Sequence, residues 1–223
     1  ISDLTGIESF INVIEVNCSN NLLTNIDLGQ NAKLEKLNCS NNKLSRLNLS
    51  ANPKLKEVYC FKNQINQLTL SSNLSLEAIG CNDNNLQILD FSKNNSLTKI
   101  WCNNNNLLTL NLANGINEDI TIIEAINNPD LSCIQVDDKN YSDMNWRSGS
   151  FKFDTQHNFS EKCAPCNDPL IVFISNFLVS GFACVGDSIR LIEYGSFKDS
   201  VTTMVFSWNF GNNNNSSDRD PIV

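Results

Sequence analysis

Five cysteines recur at intervals of 21 residues, and this spacing constrains the fold more than any other feature of the sequence. They are Cys18, Cys39, Cys60, Cys81 and Cys102. A fixed period in this range indicates a solenoid, in which each repeat forms one coil that stacks on the next. Because one coil cannot bury its apolar side alone, the period predicts a continuous core shared by successive coils.

Each coil repeats the same apolar and asparagine positions around its cysteine at position six. Aliphatic residues occupy positions one, four, eleven and fourteen, and a leucine or phenylalanine occupies position sixteen. The five coils start at Val13, Leu34, Leu55, Leu76 and Leu97. Position nine holds Asn21, Asn42, Asn63, Asn84 and Asn105. Position nineteen holds Asn31, Asn52, Asn73, Asn94 and finally Gly115.

This pattern assigns a role to the cysteine and to the asparagine. The alternation L-x-C is typical of a strand whose alternate side chains face the core, where cysteine acts as a small hydrophobic residue. The asparagine follows at a turn, and its amide can bond the main chain of neighbouring coils. We therefore expect buried free thiols and a ladder of asparagine hydrogen bonds. A redox or metal stack is the alternative, but no histidine or carboxylate repeats beside the cysteines.

The pattern L-x-x-L-x-C-x-x-N-x-L resembles the leucine-rich repeat, in a 21-residue form found in secreted proteins of Bacteroidetes. The resemblance covers about residues 1–138, and residues 1–10 resemble that family's N-terminal cap. It implies a mainly β, right-handed solenoid with a parallel sheet and little helix. A sixth, degenerate coil is expected with Ala125 in the cysteine position, 23 residues after Cys102.

Four further cysteines lie outside the repeat. The segment from LSCIQVDD to Cys163 resembles the family's C-terminal cap, which implies a disulfide between Cys133 and Cys163 over an irregular stretch at 139–162. The KCAPC segment resembles a redox CxxC motif, but no βαβ pattern surrounds it. A second bridge between Cys166 and Cys184 is the alternative. External disulfides suit an exported protein.

The sequence changes character after the last cap. We expect one domain at 1–166 and a second at 167–223, with strands at 170–178, 188–194 and 203–210. The stretch SWNFGNNNNSS at 207–217 resembles the turn of polycystic-kidney-disease (PKD) domains, which implies a partial, truncated immunoglobulin-like sandwich. An unrelated β cap is the alternative.

Three aromatic residues stand in outward positions of the predicted strands. Tyr59, Phe61 and Trp101 lie on one face, and Gly80 is expected to leave a gap between Tyr59 and Trp101. Exposed aromatic side chains on a rigid surface are typical binding anchors. The alternative is that the rings cover each other. Charged third-position residues complete the candidate site: Lys36, Glu57 and Lys99.

A second outward column is polar and comes from position fifteen. It can bind a repeating polar surface such as a glycan, or it is simply a solvated face. Its members are Asp27, Asn48, Thr69, Asp90 and Asn111.

Several functions are disfavoured by composition. A net charge of −8 argues against nucleic acid and anionic membranes as partners. The run at 170–185 is too short for a spanning helix, so no membrane insertion is expected. His157 is the single histidine, and no catalytic motif is present, so we expect no enzyme activity and no cofactor. The acidic group Asp137, Asp138 and Asp143 lacks the glycine and spacing of a calcium loop.

The sequence therefore predicts a bacterial, secreted or cell-surface module that binds a protein ligand, as in adhesion, through its strand face. One alternative is a carbohydrate-binding accessory region of a larger exported protein, with a glycan as partner. Another is a structural spacer without a ligand.

Overall fold

Short strands stack in parallel along the first part of the chain. The computed structural model describes residues 1–163 and two further strands at Trp208–Asn209 and Asn215–Ser216. Within 1–163, seven strands form the larger sheet and pair in chain order. They are β1 (Glu15–Asn17), β2 (Lys36–Asn38), β3 (Glu57–Tyr59), β4 (Ala78–Gly80), β6 (Lys99–Trp101), β8 (Ile122–Ala125) and β10 (Phe151–Phe153).

A second, smaller parallel sheet is formed by the later coils. Its four strands also pair in chain order, and a single bridge between Leu47 and Leu68 stands outside it. The strands are β5 (Ile88–Asp90), β7 (Thr109–Asn111), β9 (Cys133–Gln135) and β11 (Asn158–Ser160). The two sheets make the described region a parallel β-solenoid with little helix, as the sequence predicts.

The register of the larger sheet follows the sequence period and then departs from it. Val16 pairs with Leu37, a step of 21 that repeats through β6. Ile100 then pairs with Ile123, a step of 23, which confirms the predicted slip around Ala125.

The expectation that 139–162 is irregular is wrong. This stretch contains a helix, α1 (Lys139–Asn145), followed by β10 and β11, each of which extends one sheet. It is therefore a seventh coil beyond the six expected. Ile123 pairs with Phe151, a step of 28, because the helix is inserted before the strand and no cysteine or asparagine marks the period.

The helical segment closes the end of the core. The carboxylate of Asp138 accepts a hydrogen bond from the Tyr141 main-chain N–H at 2.9 Å and caps α1. Trp146, just after the helix, is 2% exposed. Its ring stacks on Phe151 at 5.7 Å between centroids and meets Phe159 edge-on at 5.6 Å. Near the other end, a single 3₁₀ turn spans Ile7–Ser9, and Leu4 and Ile7 pack against the core.

The repeated cysteines face the core as free thiols, as expected. All five are buried, and four are fully so. Burial raises the pKa of each thiol above its usual value, to about 12 for Cys102.

The predicted asparagine ladder is present and joins each coil to the one before it. Asn84 donates to the carbonyl oxygens of Cys60 and Cys81 at 3.0 and 3.1 Å. Its Oδ1 accepts from the main-chain N–H of Ile65 at 2.9 Å. The same bonds recur at Asn42, Asn63, Asn105 and Asn128. The ladder therefore satisfies main-chain groups that the tight turn leaves unpaired.

A second ladder runs along position nineteen. Asn52 is fully buried and donates to the carbonyl oxygens of Leu28 and Asn31 at 3.0 and 2.9 Å. Asn73 and Asn94 repeat this geometry. In the fifth coil Asn114 takes the place, donating to Asn94 at 3.1 Å, so the assignment of this position to Gly115 is corrected by one residue.

Position eight of the first six coils adopts a left-handed backbone conformation that the sequence analysis did not identify. The φ angles lie between 54° and 59°. Asparagine and aspartate tolerate this region better than other non-glycine residues, which explains why they predominate there. The residues are Asn20, Asn41, Lys62, Asp83, Asn104 and Asn127.

Cys133 and Cys163 form the disulfide that the resemblance implies. The S–S distance is 1.99 Å and the Cα atoms lie 5.9 Å apart. The bond joins Cys133 on β9 to Cys163, just beyond β11, and so links the sixth coil to the seventh.

Replacing both cysteines by serine is expected to lower the free energy of unfolding by about 3 kcal/mol, because the bond closes a loop of 30 residues. Urea denaturation followed by tryptophan fluorescence measures the change, since Trp146 packs in this coil. Unchanged stability in the double variant would show that the cap is held by its aromatic packing alone.

The chain divides into two compact units, Ile1–Cys163 and Ala164–Val223. In the second, Trp208–Asn209, which lies within the strand expected at 203–210, pairs antiparallel with Asn215–Ser216. The strands expected at 170–178 and 188–194, the Cys166–Cys184 bridge and the PKD-like sandwich lie outside the described residues.

Candidate functional site

The candidate site lies on the outward face of the larger sheet, where side chains at positions three, five and seven alternate with the buried core. Tyr59 on β3 and Trp101 on β6 flank β4, and Phe61 follows β3. All three aromatic side chains are partly exposed. The sequence-predicted aromatic residues therefore share one face, in the third and fifth coils, with β4 of the fourth coil between them. We call this surface the aromatic face.

The gap predicted at Gly80 is occupied by Tyr59. A Cβ atom placed on Gly80 would lie 3.0 Å from Cδ1 of Tyr59 and 3.8 Å from Cδ1 of Phe61. The Tyr59 ring therefore leans over β4 and buries Gly80, and Ala78 on the same strand is also buried. The small residues of β4 let the two rings lie close to the main chain, so the face is shallow and continuous there.

Charged side chains are paired beside the rings. Lys36 Nζ lies 2.7 Å from Glu57 Oε1, and the Tyr59 hydroxyl donates to Glu57 Oε2 at 3.4 Å. The Glu57 carboxylate raises the pKa of Lys36. Partial burial raises the pKa of the Tyr59 hydroxyl, and the negative charge of Glu57 adds to the effect. Tyr59 is therefore neutral and able to donate a hydrogen bond at neutral pH.

Lys99 differs from the other predicted charges because no acidic partner contacts it within residues 1–163. It is exposed, and its strand neighbour is Ala78. The aromatic face thus offers one free positive charge directly beside Trp101, in a protein whose net charge is −8.

Three further polar residues lie on the aromatic face that the sequence analysis did not include in the candidate site. Glu124 pairs with Trp101 across the strands, and its Oε1 lies 2.6 Å from Lys152 Nζ on β10. Asn103 donates to Glu124 Oε2 at 3.0 Å. The bond from Lys152 lowers the pKa of Glu124. The repeat spacing places Asn103 at position seven of the fifth coil and Glu124 at position five of the sixth, so both could have been included in the site. Lys152 was hidden by the unpredicted seventh coil, although the in–out alternation of FKF indicated that it points outward.

The second outward column serves local turns. Asp27 Oδ1 accepts from the Gly29 N–H at 2.9 Å, and Asn48 Oδ1 accepts from Ser50 at 3.1 Å. Asp90 and Asn111 accept in the same way two residues along. These Asx turns explain why short polar residues recur at this position.

The acidic residues and the histidine of the cap have separate structural roles. Asp137 accepts from the Gly115 N–H at 2.9 Å, Asp138 caps α1, and Asp143 pairs with Lys139. The His157 ring packs on Phe153 and Phe159.

In the described part of the chain, no group of three or more His, Cys, Asp or Glu residues is placed to hold a metal ion. Among the same residues, no helix has the length and apolarity required to cross a membrane.

Comparison with solved structures finds leucine-rich repeat proteins. InlJ of Listeria monocytogenes, whose functional domain includes a cysteine ladder, is 25% identical over 60% of this chain, with a TM-score of 0.43. The internalin InlF of the same organism is 16% identical over 61%, with a TM-score of 0.47. A leucine-rich repeat protein of Leptospira interrogans is 17% identical over 69%, with a TM-score of 0.46.

The matched regions span 36%, 39% and 38% of those three chains, so this chain corresponds to less than half of each. No protein-family model matches the sequence. No curated protein matches it either.

Proposed function

We propose that the chain is a protein-binding module that engages its ligand through the aromatic face. The observation that carries this is the placement of Tyr59, Phe61 and Trp101 on one rigid surface around the small residues of β4. Aromatic side chains fixed by their neighbours lose little conformational freedom on binding, and they dominate the energetics of many protein interfaces.

The surroundings of the rings favour a protein as partner. Ion pairs Lys36–Glu57 and Lys152–Glu124 border the rings on both sides, and Lys99 is free to pair with a ligand carboxylate. An apolar centre with a polar, charged rim is the usual anatomy of a protein–protein interface. The asparagine ladders support the same role, since they hold each strand in register and prevent the face from rearranging.

We further propose that the module is secreted or displayed on a cell surface, in the manner of an adhesion protein. The Cys133–Cys163 disulfide supports this, because disulfides persist in oxidising compartments. The bacterial origin and the PKD-like second domain rest on the sequence resemblance alone and belong to the same proposal.

The test is a binding screen with a matched pair of variants. The chain and its Tyr59→Ala/Trp101→Ala variant are screened by surface plasmon resonance against purified bacterial and host surface proteins and against purified polysaccharides. We expect a protein hit whose affinity falls at least tenfold in the variant, since each anchor residue contributes 1 kcal/mol or more. Replacing Lys99 by glutamine is expected to slow association and reduce its salt dependence.

A control variant removes apolar surface elsewhere. Leu74→Ala/Met144→Ala truncates two side chains that are 58% and 72% exposed and lie off the aromatic face, and it is expected to bind normally.

A protein hit that survives the loss of both rings would place the site elsewhere. A polysaccharide hit lost with the rings would favour the carbohydrate-binding alternative, and no hit with any probe would favour the spacer.

A further inference from the structure

Strand pairing on the second face of the solenoid is not continuous within residues 1–163. Residues 66–70 are linked to the preceding coil by the Leu47–Leu68 bridge, and β5 pairs with β7 in the following coil. No strand pairing joins 66–70 to β5, as none joins the first coil to the second on this face, although the main chain is bonded nearby from the Asn85 N–H to the Ile65 carbonyl at 2.9 Å. The third and fourth coils are therefore held together on this side by fewer main-chain hydrogen bonds than the later coils.

A surface cleft of about 780 Å³ lies where the third and fourth coils meet on this side. Its volume falls within the range of about 300–1,000 Å³ that is typical of small-molecule sites. We call it the interstrand cleft. Its lining comes from the third and fourth coils and the edge of the fifth, and it includes the outward side chains Asn66, Gln67, Asn85, Gln87, Ile88 and Asp90.

A single core substitution coincides with the cleft. Position sixteen is leucine in the other four coils but Phe91 in the fourth, and the Phe91 side chain is fully buried directly behind β5. Protein cores are close-packed, so a ring in a column of leucines requires more space between neighbouring coils. Because β5 and β7 hold the fourth coil to the fifth, we infer that the ring widens the space on the opposite side, towards the third coil.

Three amide side chains of the cleft are free to form hydrogen bonds with a ligand. Within residues 1–163, the side-chain amides of Asn66, Gln67 and Gln87 make no hydrogen bond, in contrast to the buried ladder asparagines. Each amide offers both donors and an acceptor. The cleft therefore presents neutral groups that can pair with adjacent hydroxyls on a ligand.

An exposed aliphatic side chain lies among these amides. Ile88 is 53% exposed, at a position that is polar in the other four coils. Asp90 is the single ionisable residue of the lining; its Oδ1 accepts from the Ser92 N–H at 2.9 Å and from Asn111 at 3.1 Å. Because no lysine or arginine lines the cleft, an anionic ligand would be repelled rather than held.

We propose that the interstrand cleft binds a neutral oligosaccharide. Ile88 packs against the apolar face of a sugar ring, and the amides of Asn66, Gln67 and Gln87 bond its hydroxyls. This site is separate from the aromatic face, so the two proposals stand or fall independently.

The test is a ¹H–¹⁵N NMR titration of the full chain with cellohexaose, maltohexaose and chitohexaose. We expect at least one of these probes to shift the side-chain amide signals of Asn66, Gln67 and Gln87, with a dissociation constant of about 1 mM. The Asn66→Ala/Gln87→Ala variant is expected to bind at least tenfold more weakly. Its matched control is Thr24→Ala/Ser45→Ala, which changes the same coil position in the first two coils and is expected to bind normally.

Two further variants test whether Phe91 opens the cleft and whether the cleft acts independently of the aromatic face. Phe91→Leu leaves every lining side chain in place, and it is expected to close the cleft and weaken binding at least tenfold. Tyr59→Ala/Trp101→Ala is expected to bind the oligosaccharide as the unmodified chain does. The proposal is overturned if none of the three probes shifts these amides, if the double amide variant retains its affinity, or if hexagalacturonate binds as well as the neutral probes. Retained affinity in Phe91→Leu would overturn the role of the phenylalanine in opening the cleft.

Discussion

Replacing Asn84 by alanine is expected to lower the free energy of unfolding by about 3 kcal/mol, which is the largest effect on stability that we predict for an exchange of one residue. The Asn84 amide donates to carbonyl oxygens of two coils, Cys60 and Cys81, and accepts from the N–H of Ile65. Alanine leaves the buried Ile65 N–H without a partner, at a cost of about 1–3 kcal/mol, and removes one of two side-chain donors at each carbonyl, because the next ladder asparagine on either side still donates there. The loss should appear as a lower urea midpoint in circular dichroism at the β-sheet band.

The adjacent residue provides the control. Asn85 is exposed, and its amide makes one weak contact, to the Gln64 carbonyl at 3.4 Å. Asn85→Ala is expected to change the free energy of unfolding by less than about 0.5 kcal/mol. Equal effects of the two substitutions would mean that the ladder contributes no more than an ordinary exposed asparagine.

The ladder was predictable because each of its members repeats with the same spacing. In a parallel stack, a residue that recurs every 21 positions lies beside its own copies, so the period alone places Cys60 next to Cys81 and Asn63 next to Asn84. The burial of the thiols follows from the in–out alternation of L-x-C. The fold of the first five coils therefore follows from local pattern and needs no long-range information.

The seventh coil was not predictable on the same basis. Its strand β10 pairs at a step of 28 after an inserted helix, and it carries Phe153 where earlier coils carry cysteine or alanine. The pairing depends on how Trp146, Phe151 and Phe159 pack, which no repeat spacing encodes. Lys152, which extends the candidate site, was missed for this reason.

The site itself was predictable in its members but not in its shape. Alternation places Tyr59 and Trp101 outward, yet it does not say that the Tyr59 ring leans over Gly80, because a side-chain rotamer depends on its neighbours. The interstrand cleft was not predictable from the period either. Phe91 fits the apolar pattern of position sixteen, so the repeat spacing does not reveal what its larger volume does to the packing of neighbouring coils.

The ladder thiols are expected to react with iodoacetamide far more slowly in the folded chain than in the unfolded chain. The thiolate is the reactive form, and burial raises the pKa of Cys102 from 9.0 to about 12. The difference of about three pKa units lowers its thiolate fraction about a thousandfold near pH 8. Iodoacetamide labelling of the native chain at this pH, with peptide mapping by mass spectrometry, should therefore leave Cys102 unmodified while the chain in guanidinium is labelled.

Position along the stack sets the order of reactivity. Cys18 lies in the first coil and is 4% exposed, whereas Cys39, Cys60, Cys81 and Cys102 are fully buried. Cys18 is therefore expected to react first. Uniform labelling of all five at the rate of the unfolded chain would contradict the buried ladder.

The same thiols make stability depend on alkaline pH. A raised pKa means that the folded chain keeps protons which the unfolded chain has released, so each thiol stabilises the fold below its usual pKa of 9.0. It loses this contribution as pH rises through its raised pKa, which is about 12 for Cys102. Urea midpoints measured in steps from pH 8 upward should fall through this window. Replacing Cys60 and Cys81 by alanine removes two of the titrating groups, so the fall should be shallower in that variant even though its stability at pH 8 is lower. An equally steep fall would assign the alkaline loss to groups other than the cysteine ladder.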